Sequence, residues 1–398
     1  MRNKMIGATL LITGTTIGAG MLALPMISGV VGFPVALLIL TAIWGLMTFT
    51  GLLILEVNLS LPVTQNSFIS MAKSTVGSAG VLATSVSVAL LLYSLTGAYI
   101  SGSSSLLTIL FSALFNIKLP SWALSCLFTL TLGSVVWIST HAVDKFNRVF
   151  FTAKGVFLIF TLALLLPKIQ PHFLISTPLS HHSVLLIAPV FLTSFGYHTI
   201  IPSLTKYLGK EVRTLRNAIL IGTALPFVIY VIWLISTLGV IPQTGASSFS
   251  SLAKQNDVKQ LTLAIMHYGH SNWISFGMNC FANVAVVTSF FGVTLGLFDM
   301  IADSIKAKND IFSRLKTACI TFLPPLAFSL FYPHGFLIAL SAAAIFVSFL
   351  EVILPAWMAI KSRRTHLSPM FVAPGGIGLL YTVIVIGLAF IISGFFNL

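Results

Sequence analysis

The chain has 398 residues, of which 57% are hydrophobic and 7% are charged, and its mean hydropathy is +1.02. Soluble domains are about a quarter charged, so this composition excludes a soluble enzyme and indicates a polytopic protein in a lipid bilayer. The formal charge of +13 does not indicate a nucleic-acid partner, because the basic residues lie in short loops between apolar runs and not on one soluble face.

Eleven apolar runs are long enough to cross a hydrocarbon core, which takes about 20 helical residues. They cover residues 5–30, 33–59, 79–112, 121–140, 149–167, 184–205, 217–241, 272–303, 317–331, 335–360 and 375–397. The third and the eighth exceed the length of one crossing, and the ninth is the shortest. The sequence therefore predicts an all-α integral membrane protein with about eleven transmembrane helices.

Lysine and arginine are distributed unevenly between alternate loops, and this sets the orientation because positively charged segments stay in the cytoplasm. With the N-terminus inside, the cytoplasmic set is Arg2, Lys4, Lys73, Lys145, Arg148, Lys206, Lys210, Arg213, Arg216, Lys306, Lys308, Arg314, Lys316, Lys361, Arg363 and Arg364. The opposite side holds Lys118, Lys168, Lys254 and Lys259. If one run had been missed, the basic loops after it would be assigned to the wrong side of the membrane. We expect a retained first span, a cytoplasmic N-terminus and a C-terminus outside.

A glycine-rich stretch interrupts the first run: Gly14-Thr15-Thr16-Ile17-Gly18-Ala19-Gly20. Glycine costs about 1 kcal/mol relative to alanine in a helix interior. Backbone freed in lipid must find partners inside the protein or in a water-filled cavity. The stretch therefore predicts a helix that is deliberately broken. The alternative is a close helix–helix contact made by small residues.

A second interruption, Thr193-Ser194-Phe195-Gly196-Tyr197-His198-Thr199, lies at a similar depth in the sixth run and is followed by Pro202. Matching breaks in two halves are the sequence mark of transporters built from inverted repeats. Five runs from each break give residues 5–168 and 184–360, with 375–397 as an extra helix, all within one transmembrane domain, 1–398. Since five is odd, the halves enter the membrane from opposite sides. Two unrelated packing contacts are the alternative.

Four segments together resemble the bacterial aromatic amino acid permeases, and most of all their tyrosine-specific members. They are GTTIGAGMLALP at 14–25, AYISG at 98–102, TSFGYH at 193–198 and TFLPPLAF at 321–328. The resemblance extends from Arg2 to about Arg364. It implies a proton symporter of the inner membrane, in the amino acid-polyamine-organocation superfamily, with the leucine-transporter fold. The five-plus-five architecture follows independently from runs, breaks and charges, whereas the substrate follows from the resemblance alone.

The backbone of the first break is the predicted substrate site. A broken helix offers free N–H groups at the start of one half and free carbonyls at the end of the other, which favour an anion and a cation respectively. A zwitterionic amino acid needs both. We expect its carboxylate and part of its ammonium group to bind at Thr15, Thr16, Gly18, Ala19 and Gly20. As the resemblance implies, carbonyls around Ser194, Phe195 and Gly196 complete the ammonium site.

An aromatic substrate also needs an apolar slot with one polar contact, since a site that hydrogen-bonds a phenol discriminates strongly against the analogue that lacks it. The nearest candidates are Tyr197 and His198 at the second break, and Tyr93 and Tyr99 in the third run. Packing is the alternative role for the third-run tyrosines. For the histidine, the alternative is a hydrogen bond to a neighbouring carbonyl.

Ionisable side chains inside apolar runs are the candidates for proton coupling, because burying a charge is costly. Lys154 lies in the fifth run, where it either snorkels to the cytoplasmic edge or, as in proton-coupled relatives, lies against the first and eighth spans. Desolvation disfavours its charged form, so it could release a proton when the site opens inward. Glu56 and Glu351 either join a proton path or pair with Lys154 or a backbone donor.

Other classes of membrane protein are disfavoured. The sequence has no zinc-protease helix, nucleophile elbow or phosphate-binding loop, and nothing resembles an ion-selectivity filter. We therefore expect no cofactor, no metal and no obligate protein partner. The expected function is secondary uptake of tyrosine with protons. The same scaffold carrying tryptophan or a small hydroxy amino acid is one alternative, and a membrane-embedded enzyme is the other.

Overall fold

The computed structural model describes residues 2–61, 67–175, 183–243, 248–252, 257–308, 310–365 and 370–396, all of whose regular elements are helical. Lys254 lies outside these residues. The α-helices are α1 (Arg2–Thr16), α2 (Gly20–Val31), α3 (Phe33–Ser60), α4 (Phe68–Thr75), α5 (Ser78–Phe115), α6 (Ser121–Ile138), α7 (Thr140–Leu165), α8 (Pro171–Ile175), α9 (Ser183–Thr193), α10 (Ile201–Leu208), α11 (Val212–Leu238), α12 (Phe249–Leu252), α13 (Val258–Gly269), α14 (Asn272–Ser304), α15 (Ile311–Phe331), α16 (Phe336–Val347), α17 (Leu354–Arg364) and α18 (Ile377–Phe395). A π-helical turn, Ser348–Ile353, joins α16 to α17.

All eleven predicted runs are helical, so the all-α integral membrane class is confirmed. In the described part, nine helices are long and apolar enough to cross a membrane, and the bent pair α1 and α2 adds a tenth. The ninth predicted run belongs to α15, which is not among them. Its first turns carry Arg314 and Lys316, and the apolar remainder is short. The count of eleven thus stays a prediction.

The fifth predicted run begins too late, because α7 starts at Thr140 and not at residue 149. The Ser139 hydroxyl caps this helix by accepting hydrogen bonds from the N–H groups of His141 and Ala142. The first turns are polar, so hydropathy does not reveal them. The earlier start places Lys154 about four turns, or roughly 21 Å, into the helix.

The two interrupted helices lie at the centre of the fold. α2 packs against α9, and α11 contacts both α1 and α2. α14 packs against α5 and α7 on the other side. Gly32 joins α2 directly to α3 at φ +81°, a left-handed conformation that a side chain would disfavour. The breaks are thereby surrounded by helices from both halves of the chain.

Candidate functional site

The first helix is broken at the glycine-rich stretch, as predicted. α1 ends at Thr16, α2 begins at Gly20, and the two helices are bent by 56°. Close contacts explain two of the glycines. A Cβ on Gly18 would lie 2.9 Å from the Ser289 hydroxyl oxygen, and one on Gly20 would lie 3.3 Å from the Ser194 hydroxyl oxygen. The break is therefore packed directly against α14 and against the second break.

The second break is also present. α9 ends at Thr193, and a short 3-10 turn, His198–Ile200, leads into α10. Pro202 lies in the first turn of α10, where the N–H group it lacks is not needed by the helix. The contact between Ser194 and Gly20 joins the two breaks. Sequence positions more than 170 apart thus form one site.

The centre of this site is closed to solvent. Ala19, Phe195, His198 and Tyr230 are all 0% exposed. Charges and backbone dipoles act more strongly in such a low-dielectric setting than in water, and any polar group left without a partner is costly. Each hydrogen-bond partner at the breaks therefore strongly affects the energy of the backbone groups there.

Lys154 reaches the first break. Its Nζ donates a hydrogen bond of 2.6 Å to the carbonyl oxygen of Ile17, between the two half-helices, and the residue is 5% exposed. Nζ also lies 4.9 Å from the centre of the Phe151 ring. The snorkelling alternative is therefore wrong for this lysine. Its ammonium group lies against the C-terminal end of α1, where the helix dipole favours a cation.

Ser289 of α14 binds the opposite kind of backbone group at the same break. Its hydroxyl accepts a hydrogen bond of 2.8 Å from the N–H of Ala19. The buried side chain of Tyr99, from α5, lies near the same serine. Of the two third-run tyrosines, Tyr99 is thus the one that lies near the breaks.

Tyr230 of α11 contacts both breaks, and the sequence analysis did not single it out. Its hydroxyl lies 2.7 Å from the carbonyl oxygen of Thr16 and 2.8 Å from that of Ser194. One helical turn further on, Trp233 Nε1 donates a hydrogen bond of 2.9 Å to the carbonyl oxygen of Met21. A polar aromatic residue in an apolar span was the only sequence signal, and packing explains most such residues.

The side chains of the second break are bound within the protein. His198 Nε2 lies 2.8 Å from the Thr50 hydroxyl, and Nδ1 lies 2.7 Å from Glu351 Oε2 in the π-helical turn. The Tyr197 hydroxyl donates a hydrogen bond of 3.1 Å to the Met47 carbonyl oxygen. Both residues are next to the second break as predicted. The Tyr197 hydroxyl and His198 Nε2 have hydrogen-bond partners on α3, whereas His198 Nδ1 lies close to Glu351 without the geometry of a hydrogen bond.

Glu56 lies elsewhere, and it pairs with neither Lys154 nor the breaks. Its two oxygens lie 2.7 and 2.8 Å from Nε and Nη2 of Arg363, and the second also accepts a hydrogen bond of 2.8 Å from the Ala373 N–H. Of the predicted partners of Glu56, Lys154 is wrong, because Arg363 is brought beside the carboxylate at the end of α17, whereas a backbone donor is present in the Ala373 N–H. This pair fastens the segment between α17 and α18.

The remaining predicted side chains donate hydrogen bonds to backbone carbonyl oxygens. The hydroxyls of Thr15 and Thr16 donate to the carbonyl oxygens of Leu11 and Ile12, four residues earlier in α1. The Tyr93 hydroxyl donates a hydrogen bond of 2.8 Å to the Ile320 carbonyl oxygen in α15. Tyr93 is thereby directed away from the breaks. For Thr15 and Thr16 the backbone, and not the hydroxyl, remains the available group.

The arrangement as a whole is suited to a small zwitterion. Carbonyl oxygens of Thr16, Ile17 and Ser194 form a region that attracts cations, and the N–H of Ala19 lies at the start of α2, which attracts anions. Among the residues that the structure describes, no three His, Cys, Asp or Glu side chains are grouped as a metal site requires.

Comparisons with known proteins agree over the full length of the chain. The profile described as the tryptophan/tyrosine permease family matches residues 1–393. A tyrosine-specific transport system 1 of Haemophilus influenzae is 38% identical over 97% of this chain and 95% of its own length.

Relatives named for tryptophan are also similar to this chain. A tryptophan-specific transport protein of Pseudomonas aeruginosa is 38% identical over 98% of this chain and 93% of its own length. A low affinity tryptophan permease of Escherichia coli is 33% identical over 100% of this chain and 96% of its own length. The alternative of a membrane-embedded enzyme is thereby set aside, since the chain belongs to the tryptophan/tyrosine permease family.

Proposed function

We propose that this chain takes up an aromatic amino acid, tyrosine first, together with protons across the bacterial inner membrane by alternating access. The observation that carries the proposal is that two broken helices meet in a buried centre. There, carbonyl oxygens from both breaks lie near the N-terminal end of α2. Backbone at membrane depth is tolerated without helical hydrogen bonds only inside protein or along a cavity. Such breaks therefore mark the substrate site.

The substrate binds the backbone of both breaks and replaces one hydrogen bond that the protein makes with itself. Its ammonium group binds the carbonyl oxygens of Thr16 and Ser194, and its carboxylate takes the Ala19 N–H now bound by Ser289. Gly18 and Gly20 permit this close approach, with the neighbouring backbone of Phe195 and Gly196 completing the site. Tyr99, near Ser289, is the side chain to which we assign the aromatic ring.

Lys154 is the proposed carrier of the coupled proton. When protonated, it gives the Ile17 carbonyl a charge-assisted hydrogen bond, which ties α7 to the first break. Loss of the proton to the cytoplasm weakens that tie and permits the break to move. Glu351 and Glu56 are already bound to His198 and Arg363, so we assign them to holding those elements in place.

The moving parts are two repeats of five spans, residues 5–168 and 184–360, with 375–397 as an additional helix and the N-terminus in the cytoplasm. The matched positions of the two breaks support this division. The uneven distribution of lysine and arginine supports the orientation.

Tryptophan is the second candidate substrate, because relatives named for tryptophan and for tyrosine are similar to this chain to the same degree. A small hydroxy amino acid is less well supported, since no such name occurs among these relatives.

Uptake into proteoliposomes tests the proposal. Uptake of labelled tyrosine, phenylalanine and tryptophan is compared under an imposed proton gradient, under an imposed sodium gradient and with neither. We expect tyrosine to accumulate only with the proton gradient, and unlabelled tyrosine to compete best. Uptake driven by sodium and indifferent to pH would contradict the coupling, and preferential accumulation of tryptophan would select the second candidate.

A further inference from the structure

One hydroxyl group connects the two breaks. Tyr230 Oη lies 2.7 Å from the Thr16 carbonyl oxygen at the end of α1 and 2.8 Å from the Ser194 carbonyl oxygen just after α9. The side chain is 0% exposed, and its ring packs edge-on against Phe195 with ring centres 5.2 Å apart. Tyr230 is therefore held in place from both ends of its side chain.

The chemistry of a phenol limits what this contact does. A hydroxyl has a single proton, so the two carbonyl oxygens share one donor. Each carbonyl oxygen has two lone pairs and keeps at least one of them for another donor. Both lie at C-terminal ends of half-helices, where unsatisfied carbonyls carry partial negative charge. The hydroxyl thus leaves the pair of carbonyls attractive to a cation.

The same contact fixes the distance between the carbonyl oxygens. Each is within hydrogen-bonding reach of one Oη atom, so both stay within the span of a single small donor group. An ammonium group has three protons and can donate to both oxygens at once. Trp233 fastens α11 to Met21 one turn further along, so the helix that carries Tyr230 is itself anchored to the start of α2.

We propose that Tyr230 is a positioning residue that holds the Thr16 and Ser194 carbonyl oxygens at the separation that one substrate ammonium group bridges. This inference rests on the proposed function, since it concerns the same site. It makes recognition of the amino group depend on a side chain of α11 that does not itself need to contact the substrate.

The test is Tyr230→Phe, which keeps the ring packed against Phe195 and removes only the hydroxyl. Tyrosine counterflow in proteoliposomes gives KM and maximal rate, the latter scaled to the amount of folded transporter. We expect KM to rise by about tenfold, the scale of one well-placed hydrogen bond, with the maximal rate within about twofold. Thr237→Val is the matched control, because this hydroxyl on the same helix donates only to its own helix, and its KM should be unchanged.

A second measurement serves if the variant is produced poorly. The rise in melting temperature that tyrosine causes in detergent depends on affinity and not on yield. We expect Tyr230→Phe to need about tenfold more tyrosine than wild type for the same rise.

The outcomes separate the two proposals. If the wild type neither transports nor binds an aromatic amino acid, the proposed function fails. If the wild type transports tyrosine but Tyr230→Phe keeps the wild-type KM, the positioning role is overturned while the function stands. A lower maximal rate with an unchanged KM would assign Tyr230 to stability alone and would also overturn the positioning role.

Discussion

The two breaks are held in opposite ways. At the first, side chains from three other helices reach the backbone: Lys154 binds a carbonyl, Tyr230 binds another, and Ser289 binds an N–H group. At the second, Tyr230 also reaches the Ser194 carbonyl oxygen, but the side chains of the break itself reach outward. Tyr197 binds α3, and His198 lies between α3 and the π-helical turn.

This difference indicates which break exchanges its contacts. One of the hydrogen bonds at the first break, from the Ala19 N–H to Ser289, can be taken over by the carboxylate of a substrate. The outward side chains of the second break tie it to α3 and to the turn before α17. We therefore expect substitution of the side chains that reach the first break to alter transport, and substitution of the outward side chains of the second break to alter stability.

The largest effect is expected from Lys154→Gln at the first break. The amide can still donate to the Ile17 carbonyl but carries no proton to release. We expect proton-driven accumulation of tyrosine to fall to a ratio of about one, since the coupling free energy is lost, while counterflow exchange persists. Accumulation and counterflow are measured in the same proteoliposomes.

Lys145→Gln is the control for this variant, because Lys145 lies exposed on the same helix. It should accumulate tyrosine as the wild type does. Full gradient-driven accumulation by Lys154→Gln would remove this lysine from the coupling mechanism.

Glu56→Gln comes next, as a reference outside both breaks. It leaves Arg363 without a charged partner in a setting where the Glu56 side chain is 1% exposed. We expect the free energy of unfolding to fall by about 3 kcal/mol, as when a buried ion pair is broken, seen as a lower melting temperature in detergent. The ratio of uptake with and without a proton gradient should stay as in the wild type. A changed ratio would return Glu56 to the proton path.

Gly51→Ala tests how firmly the second break is fixed. A Cβ there would overlap the Tyr197 hydroxyl, so the tyrosine has to shift. We expect a loss of about 2 kcal/mol in the free energy of unfolding, as for other overpacked sites. Adding Tyr197→Phe should recover part of the melting temperature. An unchanged melting temperature in Gly51→Ala would show that the second break is not tightly held.

The smallest effect is expected from Glu351→Gln. The amide keeps the size of the carboxylate beside His198 and removes only its charge, so the loss should be about 1 kcal/mol in the free energy of unfolding. The gradient dependence of uptake should be retained, as measured in proteoliposomes. Loss of that dependence would make the second break part of proton coupling and would remove the contrast between the two breaks.

The sequence was sufficient to locate both breaks. Glycine and polar residues at membrane depth indicate backbone that leaves the helical hydrogen-bond pattern, so residues 14–20 and 193–199 could be identified as breaks. It was also sufficient for the helical segments, because membrane-spanning helices need long apolar runs. It was not sufficient for α15, where Arg314 and Lys316 shorten the apolar part.

Side-chain partners could not be predicted, because they depend on packing between distant segments. Glu56 meets Arg363 307 positions away, and no local pattern distinguishes that partner from Lys154. The depth of Lys154 in its helix could not be predicted, because the first turns of α7 are polar and hydropathy does not reveal them. Tyr230 resembled any aromatic residue in an apolar span until the fold placed its hydroxyl between two carbonyls.

A structure of the protein with bound tyrosine, determined in a lipid bilayer, tests the central claim most directly. We predict that the amino group lies within hydrogen-bonding distance of the Thr16 and Ser194 carbonyl oxygens. The carboxylate should lie at the N–H groups of residues 18–20, with the Ser289 hydroxyl displaced from Ala19. Tyrosine bound elsewhere, with the Ser289 hydroxyl still bound to the Ala19 N–H, would contradict a site formed by the two broken helices.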